Sequence, residues 1–176
     1  MKNVFTTKRL CRAGIIAALY VVLTWVFMAF AYNGFLQIRP AEALCILPLF
    51  FPEAVPALFI GCVIANSTSP FALYDMLIGG AATLFASTCT YLVGRAIKKD
   101  SIRLAVGGIF PILFNAVMIP FIIVVLCGDL GGYEAPLVAY LVSAASIGAT
   151  EAVWVYALGV PLYTTIKRLQ RLPFFQ

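Results

Sequence analysis

Four long apolar runs, separated by short segments in which nearly all the basic residues collect, limit this chain to very few folds. The runs cover residues 13–31, 76–94, 104–127 and 137–166. Each reaches the roughly 20 residues that an α-helix needs to cross a hydrocarbon core. Between and around them lie Lys2, Lys8, Arg9 and Arg12, then Arg95, Lys98, Lys99 and Arg103, then Lys167, Arg168 and Arg171. Composition agrees, with 63% hydrophobic residues, 11% charged residues and a mean hydropathy of +1.02, whereas soluble domains carry about 25% charge. The expected class is an all-α, polytopic membrane protein in which residues 1–176 form a single transmembrane substrate-binding domain. A separate soluble catalytic or ATP-binding domain does not fit in the remaining length.

Residues 41–72 resist the same treatment. Glu42, Pro48, "FPEAVP" and "NSTSP" cut this region into two apolar pieces, 43–51 and 54–65. They form either two short helices or a re-entrant hairpin, and both return the chain to the side it left. With six segments in total, all three basic clusters fall on one side, which the positive-inside rule makes cytoplasmic. The expected topology is therefore a six-helix bundle in the cell membrane with both termini inside. Orientation accounts for the formal net charge of +5, leaving nothing for a nucleic-acid partner to explain. The first apolar run is longer than the 7–15 residues of a signal-peptide core, so cleavage is not expected. The "NST" triplet at 66–68 abuts a span and is set aside as a glycosylation signal.

Absences narrow the chemistry. There is no histidine, and the five cysteines (Cys11, Cys45, Cys62, Cys89, Cys127) stand singly without metal-ligand spacing. Neither a Ser/His or Cys/His nucleophile, nor a metal centre, nor a phosphate-binding glycine loop is written into the chain. Neither an enzyme nor a cofactor is expected.

One carboxylate stands out. Glu151, in "SIGATEAVWVY", is the single charge in the run from Ala135 to Ile166. An acid at mid-membrane costs about 2.5–3.5 kcal/mol on insertion scales, and it persists where a partner or a wet cavity receives it. On its helix face, Ala144, Ile147 and Gly148 lie toward one end and Trp154, Val155 and Leu158 toward the other. That gradient predicts room for a ligand on the outer side; the structural alternative is a hydrogen bond that merely locks two helices.

Other polar residues are candidates to join it. Asn115 is the strongly polar residue of the 104–127 run, with Pro111 and Pro120 on either side to free backbone carbonyls. Asn66 ends the third segment near the outer face. Glu42 begins the second just after Pro40, where a helix N-terminus favours an acid in any case. Arg39 is the lone external cation, with snorkelling or a simple pair with Glu42 as its ordinary explanation. Tyr74 and Asp75 open the fourth span, where a tyrosine commonly anchors at the membrane interface. Ala13 and Ala17, beside Gly14 and Ala18, make a small-residue strip on which another helix packs, from inside the bundle or from a partner.

The stretch "QIRPAEALCILPLFFPEAVPALFIGCVIAN" (37–66), with "RAGIIAALYVVLT" and the Glu151 helix, closely resembles the QueT family, the queuosine-precursor S components of energy-coupling factor (ECF) transporters. The resemblance implies a six-helix subunit that captures a small 7-deazaguanine from outside and passes it inward with a T component and two ATPase subunits. It implies that Ala13 and Ala17 contact the T component. In the substrate, the guanine edge offers adjacent N–H donors to Glu151 and a carbonyl to Asn115. An aminomethyl group suits Glu42 or Asp75, and Trp154 or Tyr133 supplies a stacking face. The competing expectation is a proton-coupled secondary carrier using Glu151.

Overall fold

The computed structural model describes residues 6–32 and 37–170. Of the basic clusters, Lys2 and Arg171 lie outside the described residues. Every regular element described is helical. In chain order they are α1 Thr7–Val26 and α2 Met28–Ala31, α3 Pro40–Leu49 and α4 Ala54–Asn66, then α5 Ala72–Ala96, α6 Asp100–Leu126 and α7 Pro136–Leu169. Four of these (α1, α5, α6 and α7) are long and apolar enough to cross a membrane. They coincide with the four apolar runs of the sequence.

The fractured 41–72 region resolves into two short helices, α3 and α4. In α3 the chain winds as a 3₁₀-helix through ten residues, all of them buried. At about 2.0 Å per residue this gives about 20 Å, and the 13 residues of α4 give a similar length at about 1.5 Å per residue. Both are short for a hydrocarbon core of about 30 Å. The enclosure of α3 by α1, α4, α5, α6 and α7 is what makes a strained, proline-containing winding tolerable, because its backbone meets protein rather than lipid. The mixture of Pro, Ala and apolar residues with no polar face is the local cause: α3 has no side that could face water.

Close approach supports this hub. A Cβ on Gly94 of α5 would lie 2.8 Å from the Leu49 carbonyl oxygen, and one on Gly61 of α4 would lie 3.1 Å from that of Ala17. Only a bare backbone allows α5 to touch α3, and α4 to touch α1, at these points.

The outer faces of the four long helices carry large exposed apolar side chains, among them Leu10, Val26, Leu77, Leu92, Leu113 and Leu137. The inner faces repeat every fourth residue, as a helix of 3.6 residues per turn requires. On α1 the buried positions are Ile16, Tyr20 and Thr24. On α6 they include Gly107, Pro111, Asn115 and Ile119, and on α7 they are Ala139, Ser143, Ile147, Glu151 and Val155. Pro111 is absorbed within α6, whereas beyond Pro120 the winding widens to a π-helical stretch over Phe121–Leu126.

One end of the bundle gathers the basic clusters. Arg12 pairs with Glu53 in the α3–α4 turn at 2.7 Å and lies over the Phe51 ring at 4.1 Å. Arg103 lies over Phe50 at 5.2 Å, and Phe50 packs on Tyr163 with ring centroids 4.7 Å apart. Asp100 accepts from the Tyr163 hydroxyl at 3.0 Å and pairs with Lys167. The start of α1, the α3–α4 turn, the α5–α6 connection and the end of α7 therefore meet at one end, as the sequence pattern requires.

Candidate functional site

Asn115 and Glu151 face each other because the inward stripe of α6 lies against that of α7. Asn115 Nδ2 donates to Glu151 Oε1 at 2.8 Å. Both residues are 5% exposed. The other carboxylate oxygen, Oε2, is buried and has no hydrogen-bond partner. A buried polar atom without a hydrogen-bond partner is costly and uncommon in a folded protein. The Asn115 bond is the helix-locking contact of the structural alternative, and it leaves Oε2 without a partner.

Glu42 enters the same interior from α3. Its Oε1 accepts from the Tyr20 hydroxyl of α1 at 2.5 Å, and its Oε2 accepts from Cys45 Sγ at 3.0 Å. It stands in the first turn of α3, where an acid is expected at a helix N-terminus, and its bond from Tyr20 also ties α1 to α3. Arg39 is only 5% exposed. Its Nε donates to the Ala31 carbonyl at 3.0 Å, and its guanidinium lies 5.4 Å from the Tyr32 ring centroid. Among the described residues it forms no ion pair with Glu42 within 4.0 Å. Neither snorkelling nor a simple pair describes it: Arg39 is held inside by backbone and aromatic contacts.

A second polar group lies where α4 meets α5. The first turns of α5 wind as a π-helix over Asp75–Gly79, a winding that recurs at functional positions. Asn66 Nδ2 donates to the Asp75 carbonyl at 3.0 Å, close to Gly79, where a Cβ would stand 3.2 Å from that nitrogen. Asn66 therefore supports the widened turn. The Asp75 side chain accepts from the Ser69 hydroxyl. It borders a recess lined also by Tyr32, Gln37, Phe71 and Ile123.

Of the remaining predicted residues, Tyr74 is 41% exposed and points away from this interior, as an interfacial tyrosine does. Trp154 is partly exposed beside Glu151, while Val155 takes the fully buried position one turn on. Tyr133 is exposed, between the α6 and α7 helices. Tyr20, Tyr32, Gln37 and Ser69 were missed by sequence reasoning. Tyr20 had a signal, since it lies four residues from Ile16 and Thr24 on an inward stripe; the other three sit in connections whose partners depend on tertiary packing.

Ala13, Gly14 and Ala17 line an apolar groove on the outside of α1 and α4, together with Pro56 and Ile60. Ala17 packs inward against Gly61, whereas a Cβ on Gly14 would meet nothing within 4 Å. The small-residue strip thus divides between internal packing and an open surface.

The QueT transporter family profile matches residues 10–168. The protein named queuosine precursor transporter QueT from Lactococcus lactis subsp. cremoris (strain MG1363) is 36% identical over 88 residues, which are 49% of this chain and 51% of the relative. The alignment thus covers about half the length of that curated relative. No solved structure matches.

Proposed function

The chain belongs to the QueT transporter family, and on that premise we propose that it is the substrate-binding subunit of an ECF importer for a queuosine precursor. The subunit sits in the cell membrane as six helical segments, with α3 and α4 completing the set and the basic end, including both termini, in the cytoplasm. Its role is capture and delivery rather than catalysis. The observation that carries this reading is the open Oε2 of Glu151 inside the bundle.

A 7-deazaguanine offers neighbouring N–H donors on its guanine edge, and one of them satisfies that oxygen as a charge-assisted hydrogen bond. Asn115, fixed by its bond to Oε1, stands beside the guanine carbonyl. Glu42 has both oxygens occupied by Tyr20 and Cys45, so the carboxylate for a cationic aminomethyl group is Asp75, at the recess. Arg39 offsets the charge of the surrounding acids while no ligand is bound. The groove along Ala13, Gly14 and Ala17 receives a helix of the T component, to which two ATPases attach.

A buried acid with an unpartnered oxygen also suits a protonation site, which keeps a proton-coupled carrier as the second reading. Reconstitution separates them. Vesicles holding the subunit with its T component and ATPases are expected to accumulate 7-aminomethyl-7-deazaguanine only with ATP, and equally after a protonophore collapses the pH gradient. Uptake by the subunit alone, driven by a pH gradient and indifferent to ATP, overturns the ECF reading.

A further inference from the structure

Two buried atoms on the inward face of α7 have no hydrogen-bond partner: Glu151 Oε2 and Ser143 Oγ. The second takes no part in the Asn115–Glu151 pair. Ser143 is fully enclosed, and it departs from the habit of the buried hydroxyls on the other helices. Thr24 donates to the Tyr20 carbonyl at 2.9 Å, Thr83 to that of Gly79 at 3.1 Å, and Ser87 to that of Leu84 at 3.1 Å. Thr90 reaches across to the Gly107 carbonyl at 2.9 Å. A helix carries a carbonyl within reach of nearly every such hydroxyl. One that stays unpaired in a dry interior is a site waiting for a partner.

Its position indicates which partner. Ser143 lies eight residues before Glu151 on the same inward stripe, about 12 Å away along the axis. Its stripe neighbours, Ala139 and Ile147, belong to an apolar cluster that includes Ile123, and Ile123 also lines the Asp75 recess. Ser143 and Glu151 thus present two unpartnered oxygens on one inward stripe, two helical turns apart. A fused bicyclic base bearing a short polar arm is comparable in length to the two helical turns that separate them.

We propose that Ser143 is a specificity-determining residue whose hydroxyl meets the exocyclic arm of a 7-substituted deazaguanine while the opposite edge of the base lies at Glu151. The proposal rests on the deazaguanine substrate proposed for this site, and names the part of it that Ser143 reads. The flanking side chains of Ala139 and Ile147 offer no hydrogen bond, so on this stripe of α7 the arm is read by Ser143. A hydroxyl both donates and accepts, which suits an N–H- or O–H-bearing arm.

Calorimetric titration of the detergent-solubilised full chain with 7-aminomethyl-7-deazaguanine and with unsubstituted 7-deazaguanine tests this directly. Ser143→Ala removes one oxygen, adds no bulk and favours the helix. It is expected to weaken the aminomethyl base about 10-fold, the worth of one hydrogen bond, and to leave the unsubstituted base within about 2-fold. Glu151→Gln is expected to weaken both. Equal losses for the two bases with Ser143→Ala, or no loss for either, overturn the role of Ser143 while leaving that of Glu151 intact. A wild-type chain that binds neither base overturns the deazaguanine reading, and Ser143 with it.

Discussion

Replacing Glu151 with Gln changes one atom's chemistry and almost none of its volume. In the substituted protein the amide oxygen is able to keep the 2.8 Å bond from Asn115 Nδ2, so the α6–α7 contact survives. The buried oxygen that had no partner becomes an NH₂ group, and a donor now faces the N–H edge of the base. A hydrogen bond to a charged group is worth about 1.5–3 kcal/mol, and leaving a buried donor unmet costs about 1–3 kcal/mol more. Taking about 3–4 kcal/mol as the loss, affinity for 7-aminomethyl-7-deazaguanine is expected to fall about 10²- to 10³-fold. Stability of the unliganded protein is expected to change little, because the Asn115 bond is kept and one unpartnered buried polar atom replaces another. Calorimetry measures the affinity, and thermal unfolding in the same detergent measures the stability. A Glu151→Gln protein that binds within about 3-fold of wild type refutes the reasoning, since a change worth less than about 1 kcal/mol means that the ligand does not meet that oxygen.

Three further outcomes follow from other contacts. Tyr20→Phe removes the donor to Glu42 Oε1 and leaves a buried carboxylate oxygen unmet, so the unfolding free energy is expected to fall by about 1–3 kcal/mol; an unchanged thermal midpoint would exclude this tie between α1 and α3. Gly94→Ala places a methyl group 2.8 Å and 2.9 Å from backbone atoms of Leu49, which cannot rotate away, and is expected to cost about 1–3 kcal/mol by the same assay. Gly14→Phe projects into the groove beside Ala13 from a position where a Cβ meets nothing within 4 Å: base affinity is expected to hold while co-purification with the T component and ATPases is lost, and retention of the full complex would remove the groove as the docking surface.

Much of the architecture was legible because its determinants are local. The four apolar runs predicted the four long helices, and the gathering of Lys and Arg predicted that the α1 start, the α5–α6 connection and the α7 end share one face. The isolation of Glu151 also predicted its burial, and its stripe of fourth residues predicted that it points inward. Residues 41–72 remained open between helices and hairpin because hydropathy cannot separate a short membrane-crossing piece from one wrapped in protein. The 3₁₀ winding of α3 depends on five other helices closing around it.

The polar contacts divide along the same physical line. Local periodicity places Tyr20 on one inward face, Asn115 on another and Glu151 on a third; it does not say that Tyr20 ties to Glu42, or that Asn115 takes one oxygen of Glu151 and leaves the other open. Those pairings join residues 22 and 36 positions apart and follow from how the helices are rotated and spaced. Which atoms of an acid in this interior are paired is therefore decided in tertiary contact. The chain's order of residues determined that a carboxylate would be enclosed; the folded bundle decided which of its oxygens remained available.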